Sequence, residues 1–120
     1  MLNFNSLLLF SENPNTLVDF YKKIFKKNPS WSGGDFHGFQ VGTGWIMIGP
    51  HDKVNGKNEN PERIIFNLET DDVKGEFNRM KEAGAKEIAA PYHPREETEM
   101  EVSTLSDPDG NYFQLNTPMK

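Results

Sequence analysis

One pattern of side-chain spacing runs through this chain twice, and it leaves few folds open. Each pass starts with a short alternating or apolar segment, continues with a segment spaced for a helix, and ends with three more short alternating segments. In the first pass Phe4 to Phe10 reads as a strand, with Phe4, Ser6 and Leu8 on one face and Leu7 and Leu9 on the other. Asn13-Pro14 opens a helix, because asparagine suits the cap and proline the first turn. Leu17, Tyr21 and Ile24 form its apolar stripe, with Val18 and Phe25 beside it, and the helix is expected to stop before Pro29. From Ser30 to Pro50 the period falls toward two, giving strands around 30–32, 35–41 and 45–48. Gly33-Gly34 and Gly42-Thr43-Gly44 serve as the turns.

The second pass follows a polar stretch, His51 to Pro61, which contains Asn55-Gly56 and reads as a mobile linker. Arg63 to Glu69 then alternates, with Ile64, Phe66 and Leu68 on one face and Arg63, Ile65, Asn67 and Glu69 on the other. Thr70 or Asp71 is expected to cap a second helix with Val73, Phe77 and Met80 as its stripe and Gly84 as its stop. Strands around 86–89, 100–105 and 112–116 complete the pass, and the run Arg95-Glu96-Glu97-Thr98-Glu99 reads as solvated loop and strand edge. The implied class is α+β: a β-α-β-β-β doublet in one domain, with module 1 over 1–50, a linker over 51–61 and module 2 over 62–120.

The last two strands flank Asp107-Pro108-Asp109-Gly110-Asn111. Pro108 presets the second turn position and Gly110 takes the left-handed one. Beyond the turn Phe113 and Leu115 share one face, and Tyr112, Gln114 and Asn116 the other. This D-P-D-G-N hairpin, together with Leu7-Leu8-Leu9-Phe10, Asn13-Pro14 and Leu17 to Tyr21 at the front, resembles the vicinal oxygen chelate superfamily. That superfamily includes glyoxalase I, extradiol dioxygenases, fosfomycin resistance enzymes and bleomycin-binding proteins. The resemblance implies two curved four-stranded sheets around a cup, helices on the convex side and small molecules inside. Helices cover apolar faces, so Leu7, Leu9, Ile46, Ile48, Ile64, Phe66, Leu68, Phe113 and Leu115 are expected in the outer core. Phe4, Ser6, Leu8, Trp45, Met47, Arg63, Ile65, Asn67, Glu69, Tyr112, Gln114 and Asn116 are expected to face the cup.

The resemblance also implies where a metal would sit. Metal-dependent members carry His and Glu on the first and fourth strands of each module. This chain offers Ser6, Met47, Ile65 and Gln114 there, and a one-residue slip brings only Asn5 or Leu7 and Ile64 or Phe66. Neither set suits a tight divalent site, so no metal and no cofactor are expected. Asp35 and His37 are expected to share a strand face at ligand-compatible spacing but read as surface polarity, and His51 and His93 read as loop residues. There is no nucleophile elbow and no phosphate loop.

Composition narrows the partners. Eighteen acidic against 13 basic residues give a net charge of −5, which disfavours nucleic acid. Lys22, Lys23, Lys26 and Lys27 read as a solvated helix face. With no cysteine, disulfide and thiolate chemistry are excluded. Leu7 to Phe10 is too short to span a bilayer, and a cytoplasmic protein is expected. What remains is a cup in which Phe4, Trp45 and Tyr112 stack on a ligand while Asn67, Glu69 and Gln114 orient it, with Ser6, Met47 and Ile65 completing the lining. The expected function is metal-independent binding of a small aromatic or cationic organic molecule by a homodimer of the bleomycin-resistance type. The rival reading is a glyoxalase-like lyase or isomerase, or a dioxygenase, with Glu69 and His37 as an acid–base pair. Trp31 belongs either to the cup opening or to a subunit interface.

Overall fold

The switch from period two to helical spacing and back produces the expected elements in the expected order. The structure is a computed structural model and describes residues 1–96 and 99–118. The strands are β1 (Ser6–Phe10), β2 (Trp31–Gly33), β3 (Phe36–Val41), β4 (Gly44–Gly49), β5 (Phe66–Glu69), β6 (Lys86–Tyr92), β7 (Val102–Ser106) and β8 (Tyr112–Asn116). The helices are α1 (Pro14–Phe25) and α2 (Val73–Glu82). They form two compact units, Met1–Gly56 and Lys57–Lys120, each a βαβββ module.

In the first unit the sheet order is β1-β4-β3-β2, with β1 parallel to β4 and the other pairs antiparallel. The register sets Leu7 beside Ile46 and Leu9 beside Ile48, as alternation requires. Their face meets the stripe of α1: Leu17, Val18, Phe20, Tyr21 and Ile24 are buried with Phe39, Ile46 and Ile48. Phe25 links the layers, stacking on Tyr21 at 5.3 Å and meeting Phe39 edge-on at 5.3 Å. Asn13 holds the cap position without a side-chain bond; its own N–H donates to Ser11 Oγ. The helix ends at Lys26, which takes the left-handed conformation (φ 55°) that glycine usually fills.

In the second unit the order is β5-β8-β7-β6, with β5 parallel to β8. Phe66 and Phe113 are register partners and stack at 5.8 Å. Leu105, Phe113 and Leu115 are buried with Val73, Phe77 and Met80 of α2. The cap of α2 is Asp72, not Thr70 or Asp71. Its carboxylate accepts from the Gly75 N–H at 2.9 Å, while Thr70 Oγ1 accepts from the Asp72 N–H. A Cβ on Gly75 would overlap that carboxylate, so glycine makes room for the cap.

Three other expectations are corrected. Strand pairing starts later than alternation suggested: Phe4 precedes β1 and is 90% exposed, and Arg63, Ile64 and Ile65 precede β5. Ile64 is 71% exposed and contributes nothing to the core. The stretch expected to be a mobile linker is tied down. Glu12 Oε2 accepts from the Gly56 N–H, the Asn58 N–H donates to the Asp109 carbonyl at 2.8 Å, and Asn58 Nδ2 donates to Asn111 Oδ1 at 3.1 Å. Asp35 lies in the β2–β3 turn, so it shares no strand face with His37. Of the acidic run at 95–99, Glu97 and Thr98 lie outside the described residues.

The D-P-D-G-N hairpin is built around one carboxylate. Asp107, 5% exposed, accepts through Oδ1 from the N–H groups of Asp109 (2.9 Å) and Asn111 (3.0 Å), and through Oδ2 from Asn111 Nδ2 (3.0 Å). Gly110 follows with φ 82°, as the turn requires. This turn fixes the β7–β8 register, pairing Thr104 with Gln114 and Ser106 with Tyr112.

Candidate functional site

The helix-free face of the first sheet follows from the register. Ser6 pairs with Trp45 and Leu8 with Met47 across β1 and β4; Gly38 pairs with Met47 and Gln40 with Trp45 across β3 and β4; Trp31 pairs with Gly38 across β2 and β3. Phe10 and Phe36 continue the same parity and meet edge-on at 6.1 Å, and His51 sits edge-on to Phe10 at 5.1 Å. No residue the register places on this face is charged. Leu8 is 52% exposed and Trp31 50%; Trp45 and Met47 are half-buried. The sheet thus keeps a patch of aromatic and apolar side chains open to contact.

The helix-free face of the second sheet is polar along β5 and β8, with Val102 of β7 set beside Asn116. Asn67 pairs with Gln114 and Glu69 with Asn116, and Tyr112 lies on the same side next to Ser106. Gln114 Nε2 donates to Thr104 Oγ1 at 3.3 Å, which fixes the amide. Asn116 is buried; its Nδ2 donates to the Thr117 carbonyl, and its Oδ1 has no partner among the described residues.

Within their own units, then, Ser6, Trp45 and Met47 lie on one helix-free face, and Asn67, Glu69, Tyr112 and Gln114 on the other. Phe4 and Ile65 stand outside the strands. Sequence reasoning left Trp31 undecided and did not place Phe10 or Phe36 on this face. The signal was the parity of Phe36, Gly38 and Gln40, which becomes legible once Gly38 is set opposite Met47.

The donor set at the family's metal positions does not fit a divalent ion. Ser6 Oγ donates to Asn5 Oδ1, Met47 brings a thioether, Ile65 brings no donor atom and Gln114 a neutral amide. Among the described residues no group of three or more His, Asp or Glu is arranged to hold a metal. The histidines are occupied elsewhere. His37 lies on the helix side of β3 opposite Ile48, with Nδ1 2.7 Å from Ser32 Oγ. His51 Nδ1 accepts from the Lys53 N–H, and His93 Nδ1 donates to the Met100 carbonyl at 2.9 Å.

Comparison with known proteins agrees with this architecture. A family model described as a glyoxalase-like domain matches residues 6–116, and the chain belongs to that family, within the vicinal oxygen chelate superfamily. Among solved structures it is similar to a glyoxalase/bleomycin resistance protein/dioxygenase family enzyme from Burkholderia phytofirmans PsJN. That match has a TM-score of 0.77 and 20% identity, covering 98% of this chain and 100% of the other. It is also similar to a glyoxalase-related enzyme from Fulvimarina pelagi, with a TM-score of 0.78 and 13% identity over 98% and 89% of the two chains. The genomically encoded fosfomycin resistance protein FosX from Listeria monocytogenes gives a TM-score of 0.65 at 24% identity over 99% and 93%. At these identities the likeness is one of fold. No curated protein matches the chain significantly. Among the described residues no helix is long and apolar enough to cross a membrane.

Proposed function

We propose that this protein binds a small organic molecule, aromatic or cationic, without a metal, and sequesters it, a role in line with the glyoxalase/bleomycin resistance description of a structural neighbour. The observation that carries the reading is the helix-free face of the first sheet. Trp31 and Leu8 remain half exposed there beside Trp45 and Met47, and Ser6 and Met47 stand where metal-dependent members carry His or Glu. Covering about 100 Å² of that apolar surface with a ligand contributes roughly 2–3 kcal/mol before any polar contact. The acid–base pair of the rival reading gains no support. His37 is on the helix side of its sheet and bonded to Ser32, whereas Glu69 is on the helix-free side of its own.

The test is a thermal-shift screen of aromatic and cationic compounds on chelator-treated protein, followed by tryptophan fluorescence. A compound that binds the folded state raises the melting temperature by mass action. It should perturb tryptophan emission, and replacing Trp45 with Phe should reduce that signal. Compounds that stabilise the protein only after a divalent metal is added would overturn the reading.

A further inference from the structure

Three glycines lie on the helix-free face of the first sheet, and a large side chain rests on each. A Cβ on Gly33 would stand 2.5 Å from Trp31 Cζ2 and 2.7 Å from its Cη2. One on Gly38 would stand 2.7 Å from Met47 Sδ and 3.2 Å from Trp45 Cε3, and one on Gly49 would overlap the Phe36 ring. None of the three has a positive φ, so the backbone alone would accept alanine at each. Strand side chains normally stand roughly perpendicular to the sheet. Here Gly33 and Gly49 let the Trp31 and Phe36 rings sit against the backbone, and Gly38 makes room for Met47 with the Trp45 ring beside it.

We infer that Trp31 and Phe36, seated on Gly33 and Gly49, form with the neighbouring Trp45 a stacking platform for a planar cationic heteroaromatic molecule. The inference rests on the binding function proposed above and names its ligand class. Planarity follows from the seating, since rings held close to the sheet offer surface to a flat partner. Charge follows from the surroundings. The face carries no Lys or Arg, the indoles attract cations, and Asp35 in the adjoining β2–β3 turn is exposed with no ion pair among the described residues.

Three probes separate the terms: 9-aminoacridine, a planar cation; acridone, a planar neutral analogue; and tetraethylammonium, a cation without a plane. Calorimetry measures affinity, and near-ultraviolet circular dichroism reports the tryptophan environment. The wild-type protein should bind 9-aminoacridine about tenfold more tightly than either other probe. Gly33→Ala and Gly49→Ala should each weaken that binding severalfold and change the near-ultraviolet spectrum, while the far-ultraviolet spectrum stays that of the folded protein. Should either variant fold poorly, Trp31→Leu, which keeps the glycine and removes its ring, must show the same loss. If 9-aminoacridine binds both glycine variants as well as wild type, the platform is wrong while the wider binding function stands. Equal binding of acridone overturns the cationic class. Failure of folded wild-type protein to bind 9-aminoacridine overturns the inference. In that case hits of other chemistry in the thermal-shift screen would still uphold small-molecule binding.

Discussion

Replacing Asp107 with Ala should unfasten the β7–β8 hairpin at a calculable cost. The carboxylate is 5% exposed and accepts three hydrogen bonds of 2.9–3.0 Å, two of them from backbone N–H groups of Asp109 and Asn111. Bonds to a charged acceptor contribute about 1.5–3 kcal/mol each, and water can reach part of this turn once the side chain is gone, so a net loss of about 3 kcal/mol is expected. Asp107→Asn keeps Oδ1 for the two backbone donors but sets an NH2 group against Asn111 Nδ2. Asn111 cannot simply turn over, because its Oδ1 already accepts from Asn58 Nδ2. That variant should lose about 1 kcal/mol. Urea unfolding followed by far-ultraviolet circular dichroism is the assay. With a slope of about 1–3 kcal/mol per molar urea, Asp107→Ala should lower the midpoint by at least about 1 M, and Asp107→Asn by clearly less. Equal midpoints for wild type and Asp107→Ala would refute the idea that this carboxylate organises the turn.

Lys26→Gly relieves the left-handed conformation at the end of α1 and should raise stability by about 0.5–1 kcal/mol in the same unfolding assay. Phe113→Ala, at a fully buried position, should lose about 3–5 kcal/mol, whereas Ile64→Ser should stay within about 0.5 kcal/mol because that side chain is already solvated. Micromolar nickel, zinc, manganese or iron should leave the melting temperature unchanged, given Ser6, Met47, Ile65 and Gln114 at the family's metal positions; a metal-dependent rise would contradict that donor reading. We also propose a homodimer, because Met1, Leu2 and Phe4 expose apolar surface that a second copy can cover; sedimentation showing a monomer at micromolar concentration would oppose it.

The sequence made the order of elements and both helix-packed faces readable, because the change between periods two and 3.6 is a direct signature of which side chains face a common neighbour. It was less informative wherever a distant backbone decides. Alternation continued through Phe4 and Arg63, but pairing starts at Ser6 and Phe66, where the partner strands β4 and β8 supply bonding groups. The polar 51–61 stretch looked unattached because its anchors, Glu12, Asp109 and Asn111, are remote in sequence. Thr70, Asp71 and Asp72 are all capable caps, and only the space over Gly75 singles out Asp72. The aromatic face was half seen. Trp45 and Met47 follow from alternation in β4, but β2 is too short for Trp31 to show a period. Gly33 and Gly38 look like turn or filler residues until the register shows what rests on them.

Metal-free ligand binding on the helix-free face of the first sheet is tested most directly by the two tryptophan indole N–H signals. The chain has two tryptophans, Trp31 and Trp45, and both lie on that face. In chelator-treated, nitrogen-15-labelled protein titrated with a compound that raises the melting temperature, both indole signals should shift together and saturably. The backbone amides of Leu17 and Ile24, on the buried side of α1, should move far less. Movement of the α1 amides with both indoles fixed, or shifts that appear only after a divalent metal is added, would contradict the account.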